Sequence, residues 1–285
     1  MMDQPQRREE RSQDQTVEQD KPSWGGAMKI ITPSTEAKEQ HRQRLNVEHA
    51  RANRDALDHL MRIRMASRMC DPQGNRIAVD REPWDWVETD HYGDTHGANI
   101  RKEVAIHESG HCVSAFVLGS YPTEARLFKS RGAKRYGTFD SLSTIHGYST
   151  EEVRRSIADM GFTRDQALLA ASCQVIELCA GVASAVHVGG LIHADKRGFN
   201  DDWKTRNILG VFPELDEDEL RSLAATLVVY YEGAVKAVAI RLFEESQLFT
   251  EGLLSAAVDG FGPEFRIHPR NRWALKHGPY GNELG

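Results

Sequence analysis

Cysteine is scarce in this chain, four residues in 285, and Cys70, Cys112, Cys173 and Cys179 form neither a C-x-x-C pair nor a disulfide framework spacing. They read as reduced thiols of a cytoplasmic protein. No G-x-x-x-x-G-K-[ST] phosphate loop occurs, so the chain is not itself expected to be an ATP-driven unfoldase. No basic block follows the N-terminal region and the formal net charge is −6, which disfavours nucleic acid as the main partner. The N-terminus lacks the apolar core of a signal peptide. The most apolar long run, Ala167 to Ile192, is interrupted by Gln174, Glu177 and His187. A membrane span needs about 20 predominantly apolar residues and a central glutamate is expensive there, so this run reads as a buried helix and no span is expected.

What the sequence does hold is concentrated between Ile100 and Gly119. His107-Glu108-Ser109-Gly110-His111 is an H-E-x-x-H pattern inside a plausible helix. Histidines at i and i+4 stand one above the other on a helix face, so both imidazoles can reach one Zn²⁺ while Glu108 leans towards its open side. Such a metal lowers the pKa of a bound water to about 7, and a nearby carboxylate takes the proton as the water attacks a polarised carbonyl. The reaction class that fits is amide hydrolysis, with Glu108 catalytic. Val104, Ala105, Val113, Ala115, Phe116 and Leu118 supply apolar positions around the pattern, and Gly119 is placed to end the helix. Gly110 costs a helix roughly 1 kcal/mol relative to alanine. A weak helix former between two ligand positions implies that another segment packs against its backbone.

The rest of the chain divides by composition. Residues 1–40 are polar and charged, and are expected to be a disordered tail. Residues 41–97 form a helical extension and linker, with a helix from Glu36 to about Met69, a break at Asp71-Pro72-Gln73-Gly74-Asn75, and an aromatic piece containing Trp84, Trp86 and Tyr92 whose expected role is packing. The catalytic segment spans residues 98–260. After a turn at Tyr121-Pro122-Thr123, strands are expected at Glu124–Lys129 and Lys134–Phe139, giving a small sheet beside the H-E-x-x-H helix. Helices are expected at Thr150–Met160, from Thr163 to about Val188, from Asn200 to Leu209, from Asp216 to Ser246, and from Thr250 to Asp259. Residues 261–285 read as an irregular tail. The fold class is mainly α.

A catalytic zinc needs three protein ligands and one open position. A histidine six residues after His111 would complete one known pattern, but residue 117 is valine. Glutamates on following helices, Glu151, Glu152 and Glu177, are available, as are Asp201, Asp202, His187 and His193. Asp201 and Asp202 also have an ordinary role, as a cap and a first-turn acid worth about 1 kcal/mol to a helix. Spacing favours aspartate slightly and does not decide.

Several segments in order resemble the proteolytic domain of the FtsH-type zinc metallopeptidases over roughly residues 100–260. Ala105-Ile106-His107-Glu108-Ser109-Gly110-His111-Cys112 looks like that family's A-x-H-E-A-G-H-A, and Arg126–Gly132 is similar to its strand ending in Arg-Gly. Leu178–Ala185 resembles, more loosely, its L-L-G-G-R-A-A-E helix, and Phe199-Asn200-Asp201 its Asn-Asp stretch. The resemblance implies a helical, zincin-like domain holding Zn²⁺ on His107, His111 and Asp201, with Glu108 as base. Ala185 and Val182 depart from the family's glutamate and arginine, and the Thr-Gly pair before the Asn-Asp stretch is missing. The expected partners are a protein or peptide substrate and either further copies of the chain or a separate unfoldase. The rival expectations are a non-catalytic adaptor retaining the fold and a chance motif in a DNA-associated helical protein.

Overall fold

A computed structural model describes residues 34–66, 84–88, 99–128, 137–191 and 199–277. Among these residues the chain is mainly helical, with nine α-helices and one three-stranded antiparallel sheet. Two helices make the centre. The H-E-x-x-H segment is α2, Ile100–Leu118, buried along most of its length and closed by Gly119, whose left-handed backbone (φ 97°) lets its N–H bond back to the Ala115 carbonyl. Against it lies α4, Arg164–His187, opened by a capping box in which Thr163 and Gln166 satisfy each other's backbone N–H groups. A Cβ at Gly110 would collide with the Ala180 carbonyl and the Ser184 side chain of α4. The helix-weakening glycine therefore permits the close crossing that its position implied. Ser184 Oγ also sits 2.8 Å from the Ile106 carbonyl, tying the two helices by a side-chain hydrogen bond.

By length and composition α4 is apolar enough to cross a bilayer, but 83% of its most apolar window is buried by its neighbours. Much of that cover comes from α1, Thr35–Ala66, and from α6, Glu217–Tyr230. Leu60 and Ile63 of α1 are buried, Asn46 Nδ2 donates to the Met160 carbonyl at 2.8 Å, and Arg64 pairs with Glu219 at 2.7 Å. The helix read as an extension thus packs into the same core as the H-E-x-x-H segment. Trp84 stacks on Trp86 at 4.6 Å between ring centroids, and Trp86 meets Phe243 edge-on at 5.4 Å, so these aromatics do pack. Residues 35–40, expected to belong to the disordered tail, are the first turns of α1, while residues 1–33 and Tyr92 lie outside the described residues.

The sheet is formed by β1, Tyr121–Leu127, β2, Gly137–Leu142, and β3, Gln247–Phe249, in the order β2-β1-β3. The expected turn at Tyr121-Pro122-Thr123 is instead the start of β1. Pro122 pairs with Ser141 beside a register shift between Pro122 and Glu124, and prolines within sheets occur at such irregularities and at strand starts. Of the second expected strand, residues 134–136 lie outside the described residues, while Gly137–Phe139 belong to β2. The three-residue β3 had no sequence signal.

Helix α3, Thr150–Met160, starts as expected, with Ser149 accepting from the Glu152 N–H. The expected long helix from Asp216 to Ser246 is two helices, α6 and α7 (Glu232–Glu245), bent by 76° at Tyr231. Gly233 follows two residues after the bend, and a Cβ there would collide with the Gly260 carbonyl of α8. Tyr231 is fully buried there, edge-on to Phe261 at 4.8 Å and to Phe265 at 5.4 Å, so aromatic packing and a close glycine–glycine backbone contact both hold the turn. Helix α8 is Thr250–Phe261. The tail read as irregular contains a further helix, α9, Pro269–His277, whose proline occupies the first helical position. Asn271 of α9 donates from Nδ2 to the carbonyls of Ala115 (2.9 Å), Phe116 (3.2 Å) and Ser120 (2.8 Å), and the His268 N–H bonds to the Phe116 carbonyl at 2.8 Å. These bonds pair the Phe116 carbonyl, which the end of α2 leaves without an intrahelical partner, and add to the Gly119 cap at Ala115.

Candidate metal centre

Helix α2 projects His107 and His111 from the same face, and α5, Phe199–Leu209, brings Asp201 to them from its first turn. The two Nε2 atoms are 3.1 Å apart, and Asp201 Oδ2 is 3.3 Å from each. The three donors form a nearly equilateral triangle able to hold one metal ion, and no other group of three or more His, Cys, Asp or Glu donors among the described residues does so.

The surroundings prepare this triangle. The Nδ1 atom of His111 is 2.8 Å from the Glu177 carbonyl, which can only accept, so Nδ1 carries the proton and Nε2 offers a lone pair to the centre. Phe139 of β2 stacks parallel to the His111 ring, at 6.0 Å and 16°. On the other side, Gly181 of α4 faces both rings, and a Cβ there would collide with His111 Nε2 and reach His107. Gly181 matches the second glycine of the family-like helix, which is the signal that could have marked it. The contribution of the Glu177 carbonyl has no side-chain signature and could not be read from residue types.

The other candidates go elsewhere. Asp202 points away to Arg221 of α6, with which it forms an ion pair at 2.8 Å, and Arg221 is shared with Glu217 at 2.8 Å. It anchors α5 beside the triangle without joining it. The Glu177 side chain accepts from Ser141 Oγ at 3.1 Å. Glu151 and Glu152 open α3 and belong to no donor cluster. His187 is the last residue of α4, six positions beyond Gly181, which is roughly 9 Å along a helix axis. His193 lies outside the described residues.

Charge is concentrated here. Burial raises the Glu108 carboxyl above its ordinary pKa; His107 and His111 oppose this, while Asp201 and Asp140 add to it. Burial disfavours the Asp201 carboxylate too, but the two histidines outweigh it and hold that group well below the usual range. His111 loses by burial and gains more from Asp201 and Glu108, which together carry it up to about 9. A set of donors so strongly coupled is one in which a bound cation would become the dominant local charge.

The triangle lies in a cleft of about 810 Å³, with Glu108, Glu177 and Lys204 in its lining and residues 137–141 of β2 along it. Glu108 faces the start of β2, since a Cβ at Gly137 would stand 2.9 Å from its Oε1. A scan against protein-family models finds no match to the chain, and a search of curated proteins finds no significant match.

Proposed function

We propose that the chain is a zinc metalloendopeptidase that hydrolyses peptide bonds of protein substrates without an ATPase of its own. The observation that carries this reading is the triangle of donors with Glu108 beside it. Three corners of a tetrahedron with metal–ligand bonds of about 2.0–2.1 Å are about 3.3 Å apart, and the measured separations of 3.1, 3.3 and 3.3 Å fit that figure. Two imidazoles and one carboxylate are a donor set that zinc accepts, and they leave one position open towards the cleft. The resemblance of the H-E-x-x-H and Asn-Asp stretches to FtsH-type peptidases supports the same assignment.

When bound, zinc would lower the pKa of a water on the open position and polarise the substrate carbonyl. Glu108 takes the proton from the attacking water and passes it to the leaving nitrogen. Its burial next to two imidazoles keeps that proton inside the site. His111 is held in its tautomer by the Glu177 carbonyl. Strand β2 is at the edge of the sheet and along the cleft, so its outer backbone groups can hold an extended peptide by hydrogen bonds.

The test is cleavage of an unfolded protein such as casein by the zinc-loaded chain, with and without chelator, beside a Glu108→Gln variant. We expect cleavage by the wild type, none with chelator, and a loss of about 10²–10⁴-fold in the variant with its zinc content intact. A Glu108→Gln protein that cleaved as well as wild type would sink the mechanism.

A further inference from the structure

The cleft has one feature that neither the metal triangle nor the general base uses. Lys204 lies one helical turn beyond Asp201 on α5, so both side chains leave the same face of the helix. It is the one lysine or arginine among the described residues that line the cleft. It forms no ion pair with a described carboxylate. Its Nζ rests instead over the Tyr148 ring, 4.9 Å from the centroid, and Tyr148 lines the same cleft. The backbone beneath is tight: Asn207 of α5 donates to the Gly147 carbonyl at 2.9 Å, and a Cβ on Gly147 would stand 3.0 Å from the Lys204 Cβ. The root of the lysine is therefore fixed in the wall, and its ammonium rests on the Tyr148 ring.

Apart from Asp201, which belongs to the donor triangle, the acids of the cleft come from other walls: Glu103 and Glu108 from α2, Asp140 from β2, and Glu177 from α4, whose carboxyl is raised by burial and held down in part by Lys204. Lys204 thus gives the α5 wall a charge opposite to theirs. An aromatic face contributes only about 0.5–1 kcal/mol to a cation at a partly exposed site. A carboxylate entering the cleft would be a far stronger partner and would still leave the ring as its backing. Side chains three positions apart on a helix are about 5–6 Å apart at Cβ, and an extended peptide advances about 3.3 Å per residue. The lysine is thus within about three residues of the bond being cut.

We infer that Lys204 and Tyr148 form a carboxylate-binding subsite, so that this cleft selects peptides carrying a carboxylate within a few residues of the scissile bond. The inference rests on the peptidase reading and names its substrate class. The carboxylate comes from a glutamate or aspartate side chain or from a free C-terminus, and the two sources are separable by experiment.

Matched fluorogenic peptides would be given to the full zinc-loaded chain: one with Glu near the scissile bond, one with Gln in its place, one with Lys there, and one whose single carboxylate is its C-terminus, alongside its amide. The wild type should favour the Glu over the Gln peptide by about tenfold in kcat/KM. Lys204→Met should bring that ratio to about one, Lys204→Glu should turn it towards the Lys peptide, and Lys204→Arg should preserve it. A preference confined to free over amidated C-termini assigns the subsite to chain ends. Binding of the same peptides to the Glu108→Gln protein supplies a readout independent of turnover. If binding depends on Lys204 while the wild type cleaves nothing, the subsite stands and the peptidase reading fails. If Lys204→Met slows every peptide equally and keeps the ratio, the lysine only clamps Tyr148 and the inference is overturned.

Discussion

Gly181 of α4 and His111 of α2 face each other so closely that a Cβ on the glycine would collide with Nε2 of the imidazole. The donor triangle is built on this missing side chain. Gly181→Ala must push both histidine rings out of register with Asp201, and overpacking of this kind costs about 1–3 kcal/mol. We expect the variant to fold with reduced stability and to lose stoichiometric zinc, read by metal analysis of the purified protein. Normal zinc content in Gly181→Ala would show that the rings bind in another arrangement.

Asp201 and Asp202 are neighbours with different tasks, and zinc affinity should separate them. Asp201→Ala removes a donor and should abolish tight binding. Arg221→Gln frees Asp202 from its anchor on α6 and leaves all three donors in place. Loss of such an outer partner costs about 10–100-fold in metal affinity. Competition against a chromophoric chelator gives both values. An Arg221→Gln affinity equal to wild type would mean that the ion pair does not position α5.

Metal binding to the folded state should also appear as thermal stability. Free zinc at about 100 times its dissociation constant adds about 2.7 kcal/mol. In a chain of this size that is a rise of roughly 5–10 °C in Tm. Calorimetry with zinc and then with excess chelator should show the rise and its reversal, and Asp201→Ala should show neither.

Acid stability should depend on a second histidine pair. His49 of α1 and His268 beside α9 meet edge-on at 5.7 Å, and the Arg270 N–H donates to His268 Nδ1 at 3.2 Å. Burial first, and then the nearby positive charges, lowers His49 to about 3 and His268 to about 4. Both are neutral in the folded chain at pH values where the unfolded chain protonates them. Their contribution to stability is complete above about pH 6.5 and falls as pH drops towards 4, by up to about 1.4 kcal/mol per pH unit for each group. His49→Gln should flatten the fall between pH 6.5 and 4.5 in urea unfolding, and the difference from wild type isolates this histidine from the carboxylates. Parallel curves would place the pair outside the acid response.

The parts of this centre that were legible in the sequence are those fixed by local geometry. His107, Glu108 and His111 are three positions on one helix, and Gly110 announced a close neighbour, which is α4. Asp201 is 90 residues beyond His111, where helical periodicity carries no information, and only the family-like Asn-Asp stretch separated it from Asp202, His187 and His193. The Asp202–Arg221 ion pair is the physical reason that one aspartate turns inward and the other outward. Helix α4 was readable because its start is a capping box and its apolar run is long. The 76° bend at Tyr231 was not, because a single glycine, Gly233, is tolerated inside a helix, and the rings and the Gly260 backbone that meet there come from a distant segment. Helix α9 was missed for a related reason, its polar surface giving no periodic signal apart from the proline at its start.

Asn271 joins three carbonyls at the end of α2 to a helix that carries none of the candidate ligands. A shortened version of the chain ending near residue 260 would keep His107, Glu108, His111 and Asp201, and on a list of ligands it would look complete. It would keep the Gly119 cap but lose the Asn271 and His268 bonds that hold the end of the helix bearing two of them. For anyone trimming this protein for expression or fusing it to another domain, the C-terminal boundary therefore falls after His277.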